Sequence, residues 1–268
     1  MDHQHLFEEN KKMWDARVEP HTKSAMYKME AFLAGETSLT EIERDELGDV
    51  SGKSLLHLQC HFGQDTLSWA RKGAKATGID FSPNAIAKAN EIRDQLGLDA
   101  RFIETNVYDL PAVLDGRFDF VFSSYGTIVW LPDLDKWASI VSRYLKPGGI
   151  FYLAEFHPTL YMFNFDNYQV EYDYFNDGNP YIEEVVGSYA DTESKTKATE
   201  YFWNHPVSEI VNALIKNGLE LLELKEYDFS PYNCFPNMYE REPGRYVWGQ
   251  DKFGRRIPMI LSVKMRKR

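Results

Sequence analysis

The chain has 268 residues, 43% of them hydrophobic, so a sizeable core is expected and global disorder is excluded. A formal net charge of −11 repels nucleic-acid phosphates and argues against a DNA or RNA substrate. No run of about 18 apolar residues is present to span a membrane. The polar start MDHQHLFEENKKMWD has no signal-peptide core. The two cysteines, Cys60 and Cys234, form neither a metal-ligand spacing nor a disulfide framework. A cytoplasmic protein is expected, with no membrane partner and no metal, as a monomer or homodimer.

Four textures follow one another along the chain. Residues 1–50 read as amphipathic helices, broken at Pro20 and again near Gly35. Residues 51–156 alternate strand and helix patterns. A short apolar run at 54–59 leads through a glycine-containing turn into a helix at 64–72. A strand at 75–80 ends in Asp80, and Pro83 and Gly97 bracket a helix at 83–96. Strands follow at 101–105 and 118–124. A helix at 133–145 is stopped by Lys146-Pro147-Gly148-Gly149, and a strand at 150–156 closes the region. Residues 157–203 read as a loop crowded with aromatics. Residues 204–268 give a helix at 206–217, a strand at 219–227, a long connection and a last strand at 258–265. The fold class is therefore α/β: a doubly wound, mostly parallel sheet with an antiparallel last strand, N-terminal helices and an inserted lid.

Open parallel sheets bind ligands beyond the carboxyl ends of their strands. Gly63 lies in the first such turn, where backbone approaches a ligand or simply turns. Asp80 can accept both hydrogen bonds of a ribose diol or cap the next helix. Ser82 is better placed as that cap, which frees Asp80. Asn106 can accept from an adenine amino group or serve as a turn residue.

The ordered stretches LLHLQCHFGQDTLSWARKGAKATGIDFSPNAIAKA, FIETNVYDLP, FDFVFSSYGTIVWLPD and LKPGGIFYLAEF resemble the motifs of class I S-adenosylmethionine-dependent methyltransferases. The resemblance covers residues 50–156 and, as the usual tail, 204–268. It implies a Rossmann-like methyltransferase fold, S-adenosylmethionine as cofactor and methyl transfer to a small-molecule acceptor. The first turn, with Gln59, His61 and Gly63, and the Asp80–Ser82 segment would hold the methionine end and ribose. Phe81 would pack on the adenine, with Asn106 on its amino group and the Val107 N–H on a ring nitrogen. Ser123 to Tyr125 would lie beside the methyl-bearing sulfur. The chain departs from the family at His57, where an acid is usual, at Gln59 and His61, where glycines are usual, and at Asn106 in place of an acid.

Methyl transfer needs alignment above all, and a base only where the acceptor must lose a proton. His157, just past the fifth strand, is the first base candidate, and a histidine packed beside Pro158 is the plain alternative. Tyr125 and His205 follow, His205 fitting a helix-flanking structural role equally well. A connection this long is functional or disordered, and its aromatics exclude disorder. Residues 157–203 are therefore expected to form a lid over the acceptor, with Tyr161 and Trp203 facing it. Trp14, His21 and Tyr27 are expected to form the other wall. A dinucleotide-dependent oxidoreductase shares the strand-end acid but lacks its G-x-G-x-x-G. A non-catalytic S-adenosylmethionine-binding module is the other alternative.

Overall fold

The structure, a computed structural model, describes residues 3–191 and 194–268. Three helices precede the sheet: α1 (Gln4–Lys23), α2 (Met29–Leu33) and α3 (Glu41–Leu47). Helix α3 starts on a capping box, Thr40 and Glu43 each satisfying the other's backbone end. Pro20 does not break α1 as its sequence suggested; the helix runs on to Lys23. A proline forfeits its own N–H bond, and here it lies close to the helix end, where the burial of Arg17, Val18 and His21 holds the turn in place.

The sheet then builds as β1 (Ser54–Leu58), α4 (Gln64–Arg71), β2 (Lys75–Asp80), α5 (Pro83–Leu96), β3 (Ala100–Glu104), α6 (Leu110–Val113), β4 (Phe118–Ser124), α7 (Leu134–Tyr144) and β5 (Leu145–Phe156). Helix α5 has Ser82 as its N-cap, its hydroxyl accepting from the Ala85 N–H, and a left-handed Gly97 at its end. Strand β5 begins earlier than expected. The Lys146–Gly149 turn is taken into the sheet edge, and the β4–β5 register shifts between Phe118 and Phe120.

The stretch 157–203, expected as a loop-like lid, is more ordered than a loop in its described residues. It contains an antiparallel hairpin of β6 (Tyr181–Val186) and β7 (Lys197–Phe202). The chain ends with α8 (Val207–Lys216), β8 (Leu219–Tyr227), a small hairpin of β9 (Tyr239–Glu242) and β10 (Arg245–Val247), α9 (Gln250–Phe253) and β11 (Ile260–Lys267). Sheet order is β3-β2-β1-β4-β5-β11-β8, with β1 to β5 parallel and β11 antiparallel to both of its neighbours. Apolar clusters cover both faces, with Trp137, Tyr144 and Leu214 on one side and Leu67, Trp69 and Phe122 on the other. The order reverses between β1 and β4, so the two chains of crossovers diverge there and leave a crevice at the carboxyl ends of the strands.

Candidate active site

That crevice is a cavity of about 1550 Å³. A pocket for one drug-sized ligand is roughly 300–1000 Å³, so there is room for two molecules. One half is made by strand ends. Gln59, His61 and Gly63 follow β1, Asp80 and Phe81 end β2, Asn106 and Val107 follow β3, and Ser124 to Thr127 follow β4. Trp14 and Tyr27 close it from the N-terminal segment. The other half is drawn from Phe156 at the end of β5 and from two long connections, Tyr161, Phe163 and Phe165 after β5 and Tyr232 to Met238 between β8 and β9.

Asp80 is buried, and burial pushes its carboxyl up to about 6. Its Oδ2 accepts from the His61 N–H and its Oδ1 from the Ser82 N–H, both at 2.9 Å. Each oxygen retains a lone pair for a diol. Gln59 donates through Nε2 to the Thr127 carbonyl at 2.9 Å, and its Oε1 is buried with no partner among the described residues. A buried acceptor without a donor is costly, and a ligand ammonium or hydroxyl would satisfy it. An adenosine-bearing cofactor with an amino-acid end therefore fits these residues: Asp80 for the ribose, Gln59 for the polar tail and Phe81 for the base.

Gln59 and His61 have left-handed backbones, with φ of 55° and 51°. The family's glycines at these two positions thus answer a backbone demand that this chain meets with side chains, at a cost of roughly 1–3 kcal/mol each. His61 uses its ring: its Nε2 lies 3.1 Å from Nδ1 of the fully buried His21, and Nε2 of His21 lies 2.9 Å from the Ser188 hydroxyl. Burial pulls His21 down to about 3, so both rings are neutral. Gly63 is a glycine for a reason other than ligand approach. A Cβ there would stand 2.6 Å from the Phe102 ring and 3.0 Å from Ala89, and its φ is +80°.

Several expected site residues lie elsewhere. Ser82 is absorbed by its cap and by a 2.7 Å bond to Asp15, and does not line the cavity. Ser123 is buried against the Thr127 hydroxyl, and its neighbour Ser124 lines the wall instead. Asn106 does line the cavity; its amide oxygen accepts from the Tyr108 N–H at 3.0 Å, capping a 3-10 turn, and keeps one lone pair for a ligand. His157 is buried off the cavity. Its Nε2 meets Glu226 at 2.8 Å and its Nδ1 accepts from the Thr159 N–H, which leaves no nitrogen for an acceptor. His205 donates through Nε2 to the Leu131 carbonyl and faces Glu209 and Asn176 with Nδ1. Trp203 is buried edge-on against His3, and His21 does not line the cavity but packs behind His61, Trp14, Tyr27 and Ser188, which do. Trp14, Tyr27, Tyr125 and Tyr161 line the cavity.

The sequence reading missed a polar branch. Tyr125 donates to Glu43 at 2.9 Å, and Thr40 contacts both. Asp65 accepts from Ser38 at 2.6 Å and from Ser124 at 3.1 Å, and burial holds its carboxyl above the usual range. The signal for Glu43 was the T-x-x-E spacing of a capping box. The loop of Tyr232 and Phe235 carried none, because only the β8–β11 pairing brings it over the site.

The sheet order and the strand-end crevice with its acid are those of the fold of class I, S-adenosylmethionine-dependent methyltransferases. Residues 55–149 match the family model described as a methyltransferase domain. Over 133 residues the chain is 34% identical to an uncharacterized methyltransferase of Synechocystis, covering 49% of this chain and 60% of that protein. It is 28% identical to a ubiquinone biosynthesis O-methyltransferase of Pseudomonas paraeruginosa, covering 44% and 52%. The matches thus span about half the length of these relatives. An S-adenosylmethionine-dependent methyltransferase structure from Listeria monocytogenes superposes with a TM-score of 0.61 at 21% identity, over 84% of this chain and 95% of that one. The fold is shared with it.

Proposed function

We propose that the protein transfers the methyl group of S-adenosylmethionine to a small-molecule acceptor. The supporting observation is a cavity large enough for two ligands, with a strand-end half carrying Asp80 and the unpartnered Gln59 oxygen, and an aromatic half reaching it across β4. Bound S-adenosylmethionine would supply an already activated methyl group. The chain's own residues hold the two molecules in line and keep water out, which accounts for several kcal/mol of a displacement barrier. The aromatic lining of the cavity and the net charge of −11 favour a small molecule over a nucleic acid. No helix of the described residues is long and apolar enough to cross a membrane, and a cytoplasmic site of action is part of this reading.

Calorimetry with S-adenosylmethionine, S-adenosylhomocysteine and NAD tests the cofactor. Binding of the first two and not of NAD is expected. NAD binding alone would return the crevice to dinucleotide chemistry, and cofactor binding with no methylated product in a broad acceptor screen would make it a sensor.

A further inference from the structure

We propose that Tyr125 and Glu43 are the proton-accepting end of the acceptor site, and that the acceptor is a neutral phenol. Its ring would lie along the aromatic wall and its hydroxyl would meet Tyr125. This rests on the methyltransferase reading above.

Glu43 is 0% exposed. It accepts from the Thr40 N–H at 2.6 Å and from the Tyr125 hydroxyl at 2.9 Å. No Lys, Arg or His pairs with it among the described residues. A capping box requires the bonds to Thr40; it requires neither burial nor a tyrosine from another element. A carboxylate kept in that state is a strong proton acceptor, because taking a proton relieves its desolvation. Tyr125 and Thr40 line the cavity and Glu43 lies behind them. Tyr125 itself is held with φ of 36° by its N–H bond to the Ala154 carbonyl at 2.7 Å. It stands where β4 ends, between the buried carboxylate and the space an acceptor would fill.

The wall beside Tyr125 is aromatic. The Tyr232 ring meets it edge-on at 5.0 Å, Phe156 lies 5.9 Å away, and Phe235 packs on Phe156 at 4.9 Å. Such edges and faces receive a flat ring. Among the described residues, the cations that line the cavity are Arg17, Arg44 and Lys28. Arg17 is paired with Glu200, Arg44 is bonded to the Thr40 carbonyl, and Lys28 is exposed on the outer rim. A thiolate or a neutral amine needs no base before transfer, whereas a phenol does.

In the step, the acceptor oxygen bonds to the methyl carbon as the carbon–sulfonium bond breaks, its electron pair remaining on sulfur. The phenol proton passes to the Tyr125 oxygen while the Tyr125 proton passes to Glu43. The groups facing Glu43 are Asp65 from α4, Tyr125, Tyr152 from β5 and Tyr232 from the β8–β9 connection. On its own helix, Arg44 turns to the Thr40 carbonyl and Glu46 is held by Tyr152 and Tyr227. Burial, with Asp65 adding to it, raises Glu43 to about 7.

The test uses the full chain with S-adenosylmethionine and four probes: 4-methylphenol, 2-naphthol, propylamine and 2-mercaptoethanol. Methylation of a phenol is expected, with a single-turnover rate that rises with pH through about 7. Tyr125→Phe and Glu43→Gln should lower that rate about 10²–10⁴-fold and flatten its pH profile. S-adenosylhomocysteine affinity should stay within threefold, which also shows that each variant is folded, and Glu43→Asp should recover part of the rate. Without turnover, infrared difference spectra of the S-adenosylhomocysteine complex should show a protonated carboxyl gained as pH falls through about 7 and absent in Glu43→Gln. Cofactor binding with no phenol methylated, or with only the amine or thiol methylated, overturns the acceptor class. An unchanged rate and profile in Glu43→Gln, or no such carboxyl band, overturns the proton relay. Failure of the wild type to bind S-adenosylhomocysteine would instead defeat the methyltransferase reading on which both stand.

Discussion

The two halves of the cavity are built on different principles. The strand-end half is a row of turns after the strands of a parallel sheet, closed by Trp14 and Tyr27, and those turns sit where the hydrogen-bonded ladder puts them. The acceptor half comes from two connections far apart in sequence, after β5 and after β8, joined by aromatic packing such as Phe165 on Phe235 at 4.4 Å. Position in the first is fixed by backbone, and in the second by side-chain contacts. Substitutions in the first half, apart from Tyr125 on the seam, should therefore act on affinity and folding, and those in the second on acceptor choice.

The sharpest test of that division is Asp80→Ala. It leaves two ribose hydroxyls unpaired in a closed pocket and should weaken S-adenosylhomocysteine binding by about 2–4 kcal/mol in calorimetry, on the scale of charged hydrogen bonds. An unchanged affinity would remove Asp80 from the cofactor half.

Glu43→Gln comes next, read as stability. A carboxyl raised to about 7 when folded takes up protons more readily than the unfolded chain. Its contribution is fully present below about pH 4.5 and is lost as pH rises through 7. At pH 8 the glutamine variant should unfold later than wild type, by on the order of 3 kcal/mol, with the gain gone at pH 4.5. Thermal melts across that range measure it, and a constant difference would place the Glu43 titration elsewhere.

Gly63→Ala forces a left-handed φ and a Cβ against Phe102. A loss of about 2 kcal/mol in denaturant stability is expected, and wild-type stability would mean that the first turn yields easily. Without ligand, hydrogen exchange in residues 157–191 and 228–238 should run faster than in β1 to β5 and slow on cofactor binding. Equal protection in both states would erase the contrast between the halves. The smallest effect is expected for His157→Ala. With its ring tied to Glu226 and Thr159, S-adenosylhomocysteine affinity and single-turnover rate should stay within about threefold of wild type.

How much of this the sequence disclosed follows the same division. The alternation of short apolar runs with capped helices made the sheet legible, and Ser82, Pro83 and Gly97 marked α5 at both ends. Asp80 was legible because a strand-end acid has few structural uses once the next residue but one is the better cap. Asn106 and His157 each kept two readings in the sequence for a common reason: a residue type and a position do not reveal the third partner. The Tyr108 N–H takes the Asn106 oxygen through a local turn. Glu226 reaches His157 because β11 separates β5 from β8 and pairs Leu261 with both Glu155 and Glu226, a register no local pattern encodes. The aromatic crowd was visible, but its division between the cavity and private packing, such as Tyr168 on Trp248 at 5.0 Å, was not.

Glu155 gives the site one further property. It is buried at the end of β5, and its carboxylate accepts the N–H groups of Gly126, Thr127, Ile128 and Phe156. Three successive amides converging on one point form the kind of nest that captures phosphate or carboxylate ligands. Here the protein has filled the nest with an anion of its own. The turn after β4 is thereby stiffened, and it offers a ligand no hydrogen-bond donor from those amides.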